Sequence, residues 1–273
     1  MKAILVPVDF SPASFDAARY ALDLANKIQG RVSLVHICDL PGGGIDVPYT
    51  DKQVEDKIQK ATLKMKHFLA ALALLPGGDK LTDTIVQGQF TEELQRICET
   101  ERPFMVVMQA HHETGIQQLF TGEDMSTLLR TLDFPVLIIP PGKNFEGIRN
   151  VALACDMENI QETIPVKFIG TLLKALNASL SVIHIDTRNR YDSEFTIQSQ
   201  QLQQLLSPYR PSYHFLSKVQ VEEGLLSFID KNNVDMLIML PGKHHLLSRL
   251  IHGSHTATMA LYSHVPVLSL HEN

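Results

Sequence analysis

Short apolar runs alternate along the chain with longer stretches in which apolar residues recur every three or four positions. The first pattern reads as buried strand and the second as amphipathic helix. Ala3 to Val8, Val32 to Ile37, Thr84 to Val86, Met105 to Met108 and Val136 to Ile139 are strand runs. Between the first two lies a helix signal: Ser11 can cap it, Pro12 suits its first position, and Ala17, Ala18, Ala21, Leu24 and Ala25 share a face. Gly30 is placed to close it. Further helices are predicted over Gln53 to Leu75, Thr91 to Thr100 and Met125 to Thr131. Strand–helix alternation of this kind predicts βαβ units and a parallel sheet covered on both faces.

The same order then repeats. Val151 to Asp156 answers the first strand and its acid, so that Asp156 corresponds to Asp9. Leu180 to Ile185 answers Val32 to Ile37, with His184 matching His36. Met236 to Met239 answers Met105 to Met108, Gly253 answers Gly122, and Val265-Pro266-Val267-Leu268 answers Phe134-Pro135-Val136-Leu137. The spacing changes once, which means one insertion, and the loop-forming stretch Pro41 to Pro48 is its natural place. Helices are predicted over Gln161 to Leu176, with Pro165 in the first turn and Asn177 as a left-handed stop, and over Asp192 to Leu206, Val221 to Asn232 and Thr256 to Ser263. Strands are predicted at Ser212 to Phe215 and Val267 to Leu270. The Pro140 to Gly147 segment divides the halves, giving domains of 1–141 and 148–273.

At 273 residues, and at roughly 150 residues per domain, the length suggests two domains. Its 44% hydrophobic and 20% charged residues exclude a disordered or fibrous protein. A net charge of −6 gives no general basis for binding nucleic acid or an anionic membrane. Cys38, Cys98 and Cys155 are too widely spaced for a C-x-x-C pair, and no run of eighteen apolar residues occurs. The expectation is a cytoplasmic protein without a disulfide framework. No Walker A loop, G-x-G-x-x-G fingerprint, G-x-S-x-G elbow or H-E-x-x-H pair is present. Histidines gather at His111, His112, His244, His245, His252 and His255, but in no spacing that matches a named metal site, and no metal is assigned.

Each half thus has five strand runs, an acid after the first, and a loop after the fourth that reaches a Gly and a helix. In these features the chain resembles the universal stress protein family in a tandem, two-domain form. The resemblance implies two doubly wound, five-stranded, Rossmann-like domains of the adenine nucleotide α-hydrolase-like type, with ligands outside the carboxyl ends of the strands. It also implies a stress-response or regulatory role and ATP or AMP as ligand. In nucleotide-binding members the fourth strand precedes G-x2-G-x9-G-[ST], where glycines let backbone N–H groups reach phosphates. Here the first loop reads Gln109, His112, Gly122 and then Glu123, which sets a carboxylate beside any triphosphate. The second reads Leu240, Lys243, Gly253 and then Ser254, with His255 following, so the second half is the better anion site. The resemblance carries over Asp9 and Asp156 as contacts to the ribose or adenine region, with Pro7, Val8, Ile37, Ala154 and Ile185 as pocket walls. Asp9 has an alternative role as a helix cap. His36 and His184 read as satisfied strand-end histidines. The alternatives are a slow ATPase and an interaction module without nucleotide. Val136 to Ile139 and Val267 to Leu270 are matching apolar edges and are predicted to pair as an internal pseudo-dimer, with a further homodimer open.

Overall fold

Strand β1 (Ala3–Pro7) leads into helix α1 (Pro12–Ile28) through Ser11, whose Oγ accepts the Ser14 N–H at 3.2 Å. This is the cap the sequence predicts, with Pro12 at a position whose N–H would have no intrahelical partner. The structure is a computed structural model and describes residues 2–38, 51–110, 122–186, 193–217, 220–240 and 255–271. The predicted insertion at Pro41 to Pro48 lies outside the described residues. After α1 come β2 (Arg31–Cys38), α2 (Asp51–Ala73), β3 (Leu81–Gln87), α3 (Phe90–Glu101), β4 (Met105–Gln109), α4 (Gly122–Thr131) and β5 (Val136–Ile139). The second half repeats that order with β6 (Asn150–Ala154), α5 (Ile160–Thr163), α6 (Val166–Leu176), β7 (Ser179–Asp186), α7 (Ser193–Leu206), β8 (Ser212–Ser217), α8 (Val221–Asn232), β9 (Met236–Met239), α9 (His255–Tyr262) and β10 (Val267–Ser269).

Two compact units form, one of residues 1–109 with 131–134 and one of 110–130 with 135–273. In the first, parallel strands run in the order β3-β2-β1-β4. In the second the order is β5-β10-β9-β6-β7-β8, parallel except that β5 meets β10 antiparallel, with Leu137 opposite Leu268. The two apolar edges predicted to pair therefore do so. Strands β1, β5, β9 and β10 are buried at every position, which is why they read as continuous apolar runs. In the second unit the core gathers Ala152, Ile183, Leu225, Phe228, Leu237 and Met259. Burying such a side chain contributes about 1.5–3 kcal/mol.

Two punctuation signals act differently from the expectation. Gly30 does not supply the left-handed stop of α1, because Gln29 takes that conformation at φ 56°. Gly30 is needed for room: a Cβ there would sit 2.6 Å from the backbone oxygen of Lys2, whose carbonyl accepts the Arg31 N–H. The helix predicted over Gln161 to Leu176 is broken into α5 and α6. Pro165 lacks an N–H, and Ile164 before it is pushed to an extended ψ of 112°. Asn177 does form the left-handed stop, at φ 57°.

The repeat also persists in backbone conformation where residue types have changed. Phe10 and Met157 after the first strands, Gln29 and Asn177 after the first long helices, and Arg102 and Asn233 before the fourth strands all have positive φ. A non-glycine residue held there costs about 1–2 kcal/mol, so the surrounding packing enforces the turn twice.

Candidate functional site

In the first unit β2 and β3 lie to one side of β1 and β4 to the other. The chain reverses its direction of travel at β1, and the crevice outside the carboxyl ends of β1 and β4 is where such sheets take ligands. In the second unit the same reversal falls between β6 and β9. Asp9 and Asp156 stand two residues beyond β1 and β6, so the topology places both candidate acids at switch points.

Their surroundings differ. Asp9 Oδ1 accepts the Ser11 N–H at 2.9 Å and the Ser11 hydroxyl, and Ser11 in turn caps α1. One oxygen of Asp9 is committed to Ser11, so Asp9 holds the capping residue rather than capping α1 itself, and the negative charge suits the helix N-terminus. At the matching place in the second half Glu158 replaces Ser11. Asp156 Oδ1 accepts the Glu158 N–H at 3.1 Å, and Asp156 is exposed. The expected pocket walls diverge in the same direction. Pro7, Val8 and Ile37 are buried, the latter two at 2% and 7% exposure, whereas Ala154 and Ile185 are half-buried against the second unit's core.

Each crevice has a histidine brace. His36 Nδ1 donates to the Val8 carbonyl at 2.7 Å, and His184 Nδ1 donates to the Cys155 carbonyl at 2.9 Å. A carbonyl can only accept, so the neutral ring carries its proton on Nδ1 in both cases. Burial pushes the pKa of His36 down, against the Val8 hydrogen bond and the Asp9 charge, which raise it. Phe10 packs tilted against the His36 ring with centroids 4.4 Å apart and meets Phe68 edge-on at 5.8 Å, while His184 packs against Phe195 at 5.4 Å. Cys155, beside Asp156, is buried, and that burial pushes its thiol up to about 12, so it is no nucleophile at neutral pH.

Of the anion-loop candidates, Lys243, Gly253 and Ser254 lie outside the described residues, as do His111, His112, His244, His245 and His252. Gly122 opens α4. His255 opens α9 and turns Nδ1 to Glu222 Oε1 at 2.6 Å, so only Nε2 remains for an anion. Partial burial raises the Glu222 carboxyl, but the hydrogen bond from His255, a backbone hydrogen bond and the His255 charge together outweigh it and hold the group below the usual range. Gln109 at the end of β4 keeps a buried Nε2 without a hydrogen-bond partner among the described residues. That orphan donor was not legible in the sequence, where Gln109 counted only as a missing glycine. Among the described residues no three His, Cys, Asp or Glu side chains gather to hold a metal, and no helix is long and apolar enough to cross a membrane.

Comparison with known proteins places this geometry in a family. The universal stress protein Slr1230 of Synechocystis is 23% identical over 292 residues, covering 98% of this chain and 99% of its own. The universal stress protein MJ0531 of Methanocaldococcus jannaschii is 22% identical over 148 residues, covering 52% of this chain and 84% of its own. Among solved structures, a universal stress protein from Archaeoglobus fulgidus superposes with a TM-score of 0.75 at 17% identity, covering 98% of both chains, and so shares the fold. The profile of the universal stress protein family matches residues 1–140, about half of the chain, and the protein belongs to that family.

Proposed function

We propose that the protein is a non-catalytic stress-response regulator of two tandem domains, 1–141 and 148–273, that binds an adenine nucleotide, ATP or AMP, mainly in the second half. The observation that carries this reading is the contrast between the two switch points. Asp156 is exposed and its apolar neighbours Ala154 and Ile185 are half-open, while Asp9 is tied to Ser11 and Val8 and Ile37 are closed over. A half-open apolar floor beside a carboxylate suits a purine with its ribose: the base covers apolar surface and the acid accepts from a hydroxyl or amino group. Lys243, Gly253, Ser254 and Nε2 of His255 are the proposed partners of the phosphates, through charge and backbone donors. The chemistry so assembled is binding, in a cytoplasmic protein without nucleic-acid or membrane partners.

A second reading has one observation of its own. The orphan amide of Gln109 offers a buried donor at the first switch point, which suits a ligand carbonyl or phosphate oxygen there.

Thermal denaturation with ATP, AMP and GTP tests the proposal. A ligand at one hundred times its Kd stabilises the folded state by about 2.7 kcal/mol, and the expected result is a rise in Tm with ATP or AMP that Asp156→Ala removes. No shift with any adenine nucleotide overturns it.

A further inference from the structure

Helix α6 contains two residues that its own physics disfavours. Lys167 stands in its first turn, where the helix dipole repels a cation, and Gly170 stands in its interior, where glycine weakens a helix. Both open onto one cleft of about 560 Å³, within the size range of small-molecule pockets, lined by Lys167, Gly170, Thr171, Lys174, Asn177 and Tyr209 among others. Gly170 has a clear steric reason: a Cβ there would meet the Tyr209 hydroxyl oxygen at 2.0 Å, so its absence lets the phenol lie against the helix. Lys167 has no such local reason. Lys174 complements the helix C-terminus, but the same dipole argument runs against Lys167. Lys167 therefore breaks a local rule without a packing reason and opens onto a concavity, and function is the expected cause of such a break.

The matching corner of the first unit is built shut. There Asn26 near the end of α1 donates to the Pro76 carbonyl at 2.9 Å, and its side-chain amide lies against Gly77 in the turn after α2. In the second unit the turn after α7 carries Tyr209 instead. The cleft runs along α6 from Lys167 in its first turn to Asn177 and Ala178 just before β7, and Asp156 is not among its lining residues.

We propose that this cleft binds a small elongated anion with at least two negative groups. None of its lining residues is Asp or Glu, although the chain has thirty acidic against twenty-four basic side chains. Lys167 and Lys174 are seven residues apart on one face, about 10 Å along the axis, so each ammonium reaches a separate end of such a ligand. The Tyr209 hydroxyl, against Gly170, adds an uncharged donor between them, and the Asn177 amide adds one beyond Lys174. A chain of phosphates and an aliphatic dicarboxylate both meet this description.

Calorimetry on the full chain at low ionic strength tests the assignment, with inorganic tripolyphosphate in one arm and glutarate in the other. At least one arm is expected to bind at one per chain. Lys167→Ala with Lys174→Ala, two exposed positions, is expected to weaken it tenfold or more, while Asp156→Ala leaves it unchanged. Absence of binding in both arms, or equal affinity in the double variant, overturns it. Neither outcome depends on whether a nucleotide binds at Asp156.

Discussion

His36 Nδ1 lies 2.7 Å from the carbonyl oxygen of Val8, and this bond ties the end of β2 to the turn that carries Asp9. Burial lowers the pKa of His36 in the folded protein. The unfolded chain therefore binds the proton more readily, and stability contributed by the neutral ring is present above about pH 6.5 and lost as pH falls below it. His36→Asn keeps a donor near Nδ1 but cannot titrate. It is expected to reduce the drop in denaturation midpoint between pH 7 and pH 5.5, and an undiminished drop would assign that dependence to other groups.

Deleting the second brace has a different signature. His184→Phe leaves the Cys155 carbonyl without its donor while retaining a ring to pack on Phe195. A lost intramolecular hydrogen bond costs about 0.5–1.5 kcal/mol, and urea denaturation should show a lower midpoint with little change in slope.

The three cysteines report on opening of the fold. Cys98 and Cys155 are pushed up to about 12 by burial, and Cys38 is raised for the same reason. Alkylation by iodoacetamide at pH 8 is expected to be slow in the native protein and complete in denaturant. Rapid native labelling of Cys155 would mean that the end of β6 is open to solvent.

How much of this was legible in the sequence divides along physical lines. Period, run length and the Ser11-Pro12 pair are local properties, so the strands, most helices and the first cap follow from residues close in the chain. Gly30 and Pro165 carried signals of the right kind with the wrong consequence. Gly30 answers to a backbone atom of Lys2, remote in sequence, and the run of apolar residues around Pro165 masked the loss of one N–H. The acids at the switch points were legible because the repeat aligned them. Their inequality was not, since it depends on a hydroxyl at Ser11 that Glu158 lacks and on Ile37 being buried where Ile185 is only half-buried. The cleft over α6 had no sequence signal beyond a glycine inside a helix, because Tyr209 reaches it only after α7 has turned back.

Gly30 provides a steric test of that distinction. Gly30→Ala places a Cβ 2.6 Å from the Lys2 oxygen, a backbone atom fixed by its bond from Arg31. Overpacking of this kind costs about 1–3 kcal/mol, so the variant is expected to be destabilised although Gly30 has no positive φ for an alanine to strain. An unchanged or raised Tm would mean that the chain around Lys2 yields to the added methyl and that the close approach does not require glycine.

The pairing of Leu137 with Leu268 leaves β5 dependent on β10. A fragment of residues 1–141 would expose β5 as an apolar edge, and such edges recruit other chains. Light scattering is expected to show that the fragment self-associates while the full chain does not gain further mass through that edge. A stable monomeric fragment would contradict this dependence.

The central claim is that the two switch points are unequal, and the stoichiometry of ATP binding measured by calorimetry tests it most directly. One ATP per chain is expected, abolished or weakened at least tenfold by Asp156→Ala and by Ser254→Glu, and retained in Asp9→Ala. Two ATP per chain, or one that survives Asp156→Ala and is lost in Asp9→Ala, would contradict it.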